Sequence, residues 1–237
     1  MYSITQEMNI RLQETKSLID LSKGIESGVI NSEEVRFNVP VIRSTVVLSL
    51  YNVIESTITQ VLKKIHDEII SKRVAYNNLS KPIKDITLVY FYKHKEKRSD
   101  IHDSLDVLHN TVDMIRGKGF FDLEYEKMSE SYQLYSGNLD ARIIRKIMKK
   151  YGIELSETYG SKLLKVKNGR NKLAHGELSF EEYGRNVVVR SLEEYFNDVE
   201  ALLGEVIGKT QSFLNDEGYR LTRRSNKASK RKKRSRK

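Results

Sequence analysis

Residues 41–73, VIRSTVVLSLYNVIESTITQVLKKIHDEIISKR, run for 33 positions without a glycine or a proline. Val46, Val47, Leu50, Val53, Ile54, Ile58, Val61, Leu62, Ile65 and Ile69 recur there at the three- and four-residue steps of a helix. Together they make a broad apolar face that must be buried against other elements. Pro40 suits the first turn of such a helix, where a missing N–H is tolerated. A chain built on this segment is expected to be helical throughout. Its two prolines and absence of tryptophan point the same way.

The flanking sequence supplies further helices. Residues 4–23 carry Ile4, Met8, Leu12, Leu18 and Ile19 near helical spacing. Residues 101–115 place Ile101, Leu105, Leu108, Val112 and Ile115 on one face, ended by Gly117 and Gly119. Asn138 is a candidate N-cap for a helix through Lys150, closed by Gly152. A further helix starts between Ser156 and Tyr159 and carries Leu163, Leu164, Val166 and Leu173 towards a terminating glycine, Gly176. Ser179 with Glu182 reads as a capping box opening a last helix, broken or bent at Gly184 and running to about Leu214. DITLVYFY, residues 85–92, fits a short strand or a buried helical turn equally well. Residues 122–137 are polar and tyrosine-rich and give no assignment. The expected organisation is one all-α domain over 1–218 and a basic, disordered tail over 219–237.

Charge sharpens that division. The chain has a net charge of +10, yet residues 223–237 hold ten of the 42 Lys and Arg and no acid, which leaves 32 basic against 32 acidic residues elsewhere. The ten are Arg223, Arg224, Lys227, Lys230, Arg231, Lys232, Lys233, Arg234, Arg236 and Lys237. Such a run fits phosphate contacts with a nucleic acid, and equally a solubilising end, a contact for an acidic partner or a nuclear signal. The N-terminal MYSITQEMNIRLQETK lacks a basic-then-apolar signal pattern, and no long apolar run stands out as a bilayer span, so a cytoplasmic protein without membrane contact is expected.

Several chemistries are excluded by residue type. With no cysteine there is no disulfide, thiolate metal site or Cys nucleophile. No GxxxxGK[ST] or GxGxxG phosphate cradle and no HExxH pair occurs. His102 and His109, with Asp103 and Asp106, share a helical spacing but match no metal-binding signature. No metal and no cofactor is expected.

The segment KNGRNKLAHGELSF, residues 167–180, remains. Asn171 and His175 are four apart and share a helix face. Arg170 and His175 are five apart, about 140° around an ideal helix, so one straight helix would not converge them. They meet around a phosphate if the helix ends near His175, or if two copies face each other. RNA carries its own nucleophile, the 2′-hydroxyl. Its attack on the adjacent phosphate requires a group that exchanges protons near neutrality, as imidazole does. It also requires a cation for the phosphoryl oxygens, and the planar guanidinium of Arg suits that role. The same residues fit an ordinary helix end, with His beside a C-cap glycine, Arg170 on the surface and Leu173 and Ala174 in the core.

The motif resembles the signature of the HEPN superfamily: Arg170, a polar residue at 171, three more residues, then His175 and Gly176. Two other blocks, STVVLSLYNVIEST at 44–57 and SGNLDARIIRKIMKKYGI at 136–153, precede GRNKLAHGELSFEEYGR at 169–185 in the order of a bacterial HEPN branch of presumed nucleases. The resemblance implies an all-helical bundle that forms a homodimer with two Arg–His motifs lining one cleft. It implies metal-independent cleavage of RNA by 2′-hydroxyl attack, in a toxin or anti-phage effector with an antitoxin or defence-system partner. By position Arg170 and His175 are the catalytic pair and Asn171 a supporting polar residue. Glu55 matches a frequent acidic position, as a supporting residue or as a surface or structural ion pair. Some HEPN domains bind RNA or nucleotides without cleaving, or act as regulatory partners. The basic tail lies outside the pattern.

Overall fold

The computed structural model describes residues 1–30, 38–96, 105, 108, 109, 111–113 and 116–221. Among them all regular structure is helical: α1 (Tyr2–Glu26), α2 (Val39–Ser71), a 3₁₀ turn (Tyr76–Asn78), α3 (Lys81–Glu96), α4 (Tyr125–Ser131), α5 (Ala141–Lys150), α6 (Leu163–Ala174), α7 (Phe180–Arg185) and α8 (Val189–Asn215). Extended pairing is limited to the single bridges Ala75–Phe120 and Leu79–Arg220. Contacts group the chain into two compact units. The first takes residues 1–61, 135–145 and 155–208, the second 62–134, 146–154 and the chain from 209 onward.

The first unit is built on the long segment that opened the sequence. Val46, Val47, Leu50, Val53, Ile54, Ile58 and Val61 of α2 are buried. They share the core with Ile4, Met8, Leu12, Ile19 and Ile25 of α1, Leu163, Val166 and Leu173 of α6, and Leu192, Val199, Leu202, Leu203 and Val206 of α8. Each such side chain contributes roughly 1.5–3 kcal/mol on burial. The buried stripe of α1 passes through Thr15 and Ser22, whereas Leu18, expected inside, is half-buried. Thr15 enters without penalty because its hydroxyl donates to the Arg11 carbonyl at 2.9 Å.

α2 is also long and apolar enough to cross a bilayer, which amends the expectation that no such run exists. Over half of its most apolar stretch, 56%, is buried inside the protein. Core packing therefore accounts for that composition.

In the second unit the DITLVYFY ambiguity resolves to helix. Ile83, Ile86, Thr87 and Tyr90 are buried at helical steps, while Leu88, Val89 and Tyr92 face out. Burial periodicity overrides the β-propensity of the run. The unassigned stretch after Asp122 forms the short α4, which packs on α3. His66 sits at the centre of this unit, 1% exposed, among the rings of Phe121, Tyr125 and Tyr151. The chain stays paired up to Leu221: Ser80 N–H donates to the Tyr219 carbonyl at 2.7 Å, Leu221 N–H donates to Asn78 at 2.8 Å, and Tyr219 is fully buried. The start expected for the tail, residue 219, thus falls within folded chain. Of the expected 101–115 helix, the described residues 105, 108, 109 and 111–113 are helical. The remainder of that segment, with His102, Asp103 and Asp106, lies outside the described residues, as do residues 222–237.

Candidate functional site

α6 carries the Arg–His segment, and its two ends explain how that segment is held. At its start the Asp198 carboxylate of α8 accepts from Gly160 N–H at 2.8 Å and Lys162 N–H at 2.6 Å, satisfying donors that a helix N-terminus leaves open. At its end Gly176 adopts φ +67°, which glycine enters without a Cβ clash. Glu177 N–H then reaches the Lys172 carbonyl at 2.9 Å and Gly176 N–H the Leu173 carbonyl at 3.2 Å, the paired bonds of a Schellman turn. His175 is the last residue before that turn, at φ −90° and ψ 0°. The helix therefore ends where the sequence placed its end, with His175 stepping off the regular spiral.

Two further glycines fix α6 and its successor to α2. A Cβ on Gly169 would run into the Tyr183 phenol and Val47 of α2. A Cβ on Gly184 would run into the Pro40 carbonyl at the start of α2. Close approach, not chain reversal, is what these glycines serve. Burial pushes the Tyr183 hydroxyl up to about 12, with Tyr195 adding to the effect. The capping box is formed: Ser179 Oγ accepts from Glu182 N–H at 3.2 Å and the Glu182 carboxylate from Ser179 N–H at 2.8 Å. Ser44 and Arg43 of α2 bind the carbonyls of Phe180 and Val187 at 2.5 and 2.9 Å. The last helix, expected to break or bend at Gly184, is two: α7 ends at Arg185 and α8 begins at Val189, with the Val187 carbonyl between them bound by Arg43.

Arg170 is half-buried and points inward. Its guanidinium carbon lies 4.8 Å from the centre of the Tyr51 ring, a cation–π contact worth about 0.5–2 kcal/mol. Its Nη1 donates to Asn171 Oδ1 at 3.2 Å, and Asn171 Nδ2 donates to Asn138 Oδ1 at 2.8 Å. The Tyr51 hydroxyl donates to the Gly137 carbonyl at 2.6 Å and accepts from Leu139 N–H at 3.1 Å. Burial raises the Tyr51 hydroxyl above its ordinary range, opposed in part by the Leu139 N–H and by Arg170. Arg170 and Asn171 are thus joined directly.

Glu55 stands one helical turn beyond Tyr51, and a Cβ on Gly137 would meet its Oε1 at 4.0 Å, so its carboxylate overlooks the same turn. Among the described residues no hydrogen bond or ion pair ties Glu55 to Arg170. The His175 imidazole is exposed and likewise has no hydrogen bond to Arg170 or Asn171. The exposed face of α6 leading to it carries Lys165, Asn168 and Lys172, all within an arc of about 60°.

Two residues at this site escape sequence reasoning. Tyr51 reads as one more apolar position of α2, and the only clue is an aromatic hydroxyl among aliphatic neighbours. Asn138 reads as an N-cap, but Asp140 caps α5 instead. Asp140 Oδ1 accepts from Ile143 N–H at 2.9 Å, while Lys167 neutralises its other oxygen at 3.4 Å. This leaves the Asn138 side chain to Asn171. The ten basic residues of the tail, Arg223 to Lys237, lie outside the described residues.

A family model described as RiboL-PSP-HEPN matches residues 7–210, spanning all three sequence blocks and the whole of α6. Searches among curated proteins and among solved structures give no significant match. The helical architecture, the terminated Arg–His helix and a match over most of the chain agree, and the protein belongs to the RiboL-PSP-HEPN family.

Proposed function

We propose that this protein is an endoribonuclease that cleaves RNA through the RNA's own 2′-hydroxyl without a metal. HEPN domains serve nuclease and other RNA-related functions and are often ribonucleases. The observation that carries the reading is the pairing of a restrained guanidinium with an exposed imidazole. Arg170 is held by Tyr51 and Asn171, while His175 is presented at the end of the same helix.

In the proposed step the 2′-oxygen forms a bond to phosphorus and the bond from phosphorus to the 5′-oxygen breaks. The 2′-hydroxyl proton passes to a base, and an acid returns a proton to the departing 5′-oxygen. The products are a 2′,3′-cyclic phosphate and a 5′-hydroxyl end. Arg170 stabilises the phosphoryl oxygens, His175 acts as general acid or base, and Asn171 supports Arg170. Among the described residues this site presents one imidazole per chain, whereas the step uses a base and an acid. A second copy supplies the other, so the working form is a homodimer. The exposed Lys165 and Lys172 support RNA as the ligand, since they lead along α6 to His175. Family membership supports a toxin or anti-phage effector role with a controlling partner protein.

Purified protein is incubated with total RNA in EDTA beside Arg170→Ala and His175→Ala. Cleavage that survives chelation, leaves cyclic phosphate ends and disappears in both variants is the expected result. Cleavage indifferent to both substitutions removes this site. Binding with no cleavage favours a non-catalytic RNA-binding HEPN protein.

A further inference from the structure

Hydrogen-bond chemistry dictates how the amides beside Arg170 are oriented. A guanidinium only donates, so Asn171 must present its carbonyl oxygen to Arg170 Nη1, 3.2 Å away. Its NH₂ then points to the other side, where it meets Asn138 at 2.8 Å. Asn138 must in turn present its own oxygen, and among the described residues its NH₂ reaches only the Ser136 carbonyl, at 3.4 Å. The three side chains form a one-way chain from Arg170 through Asn171 to Asn138.

The backbone bearing Asn138 is anchored from beneath by the same residue that supports Arg170. Tyr51 places its ring 4.8 Å under the guanidinium, while its hydroxyl bonds residues on either side of Asn138, the Gly137 carbonyl and the Leu139 N–H. Leu139 is fully buried, so its N–H has no solvent alternative to that hydroxyl. One aromatic side chain therefore sets both the platform of the cation and the position of the amide that restrains it.

We infer that Asn138 and Tyr51, both outside the Arg–His motif, are positioning residues for Arg170. They hold the guanidinium in one pose and act on a bound phosphate through it. The inference rests on the ribonuclease reading for its catalytic consequence but not for its structural content.

The test uses the full-length protein with two readouts. The first is the Arg170 Nε–Hε cross-peak in nitrogen–proton correlation spectra, assigned by its loss in Arg170→Lys. The second is steady-state cleavage of a short RNA. Asn138→Ala, a surface change, removes the acceptor for Asn171. Asn138→Asp keeps an acceptor at the same place. Tyr51→Phe keeps the ring and loses the hydroxyl, and Tyr51→Leu loses both.

The expected result is a broadened or missing Arg170 peak in Asn138→Ala and Tyr51→Leu and a retained peak in Asn138→Asp. Tyr51→Phe is expected to lie between. In Asn138→Ala kcat should fall about tenfold to a hundredfold with little change in KM, the consequence of a misplaced cation. An Arg170 peak as sharp in Asn138→Ala as in the wild type overturns the proposal, whatever happens to the rate. If the wild type cleaves no RNA, the ribonuclease reading falls, and the spectra still decide whether Asn138 holds Arg170. Should Tyr51→Leu fail to fold, Asn138→Ala and Asn138→Asp settle the matter alone.

Discussion

A single imidazole illustrates how far side-chain environment departs from residue type. The Leu123 carbonyl can only accept, so His66 Nδ1, 2.6 Å away, carries the proton, and Nε2 accepts from the Tyr151 hydroxyl at 2.9 Å. Burial holds the His66 pKa below its ordinary value. The unfolded chain, with an imidazole near 6.5, then binds a proton that the folded chain refuses. Stability is therefore full above about pH 6.5 and falls as the solution is acidified. Urea midpoints at neutral and acidic pH should show a steeper acid loss in the wild type than in His66→Gln; parallel profiles would refute this. Gly184→Ala should destabilise by roughly 1–3 kcal/mol or more, because the Pro40 backbone cannot yield as a side chain does. An unchanged unfolding curve would contradict the close approach. At this scale Arg170, Asn171 and His175 are legible in the sequence because they are contiguous. Tyr51 and Asn138 are not, because folding brings them to Arg170 from distant blocks and neither type signals that role by itself.

Elements are legible where periodicity and end signals agree. α2 and the capping box of α7 follow directly from apolar spacing and from Ser179 with Glu182. Ser179→Ala should cost about 1 kcal/mol, read as a shift in thermal unfolding. Boundaries escape the sequence where a tertiary partner decides them. Asp140 displaces Asn138 as the cap of α5, whereas the α7–α8 break falls beside Gly184, where the sequence placed it. DITLVYFY is ambiguous because its identity depends on which residues α3 buries. The exposed face of α6 gives an element-scale prediction. Charge reversal at Lys165 and Lys172 should weaken binding of an uncleavable 2′-O-methyl RNA. It should also make the logarithmic salt dependence shallower by about 0.7 for each phosphate that is no longer neutralised. Unaltered affinity and slope would remove this face from the RNA path.

For the whole molecule, the residues outside 223–237 balance to neutral, so in the proposed ribonuclease broad attraction to RNA is expected from the tail, with the exposed lysines of α6 as a local contact. Deleting 223–237 should lower affinity for RNA of any sequence and reduce its sensitivity to salt; equal binding by the shortened chain would rule that role out. Light scattering during size exclusion tests the homodimer, and a monomer at cleaving concentrations would sink the two-imidazole scheme. The notches at Gly169 and Gly184, where the backbone meets α2 and its neighbours without room for a Cβ, bear on how relatives of this chain diverge. Both flank the Arg–His segment, and both exclude any side chain for want of space. Drift at these positions should be as restricted as at Arg170, although neither residue has a functional group to offer a substrate. Among relatives that have lost activity, glycine should persist at 169 and 184 after Arg170 and His175 have been replaced, so that persistence there marks retention of the scaffold and not of the reaction.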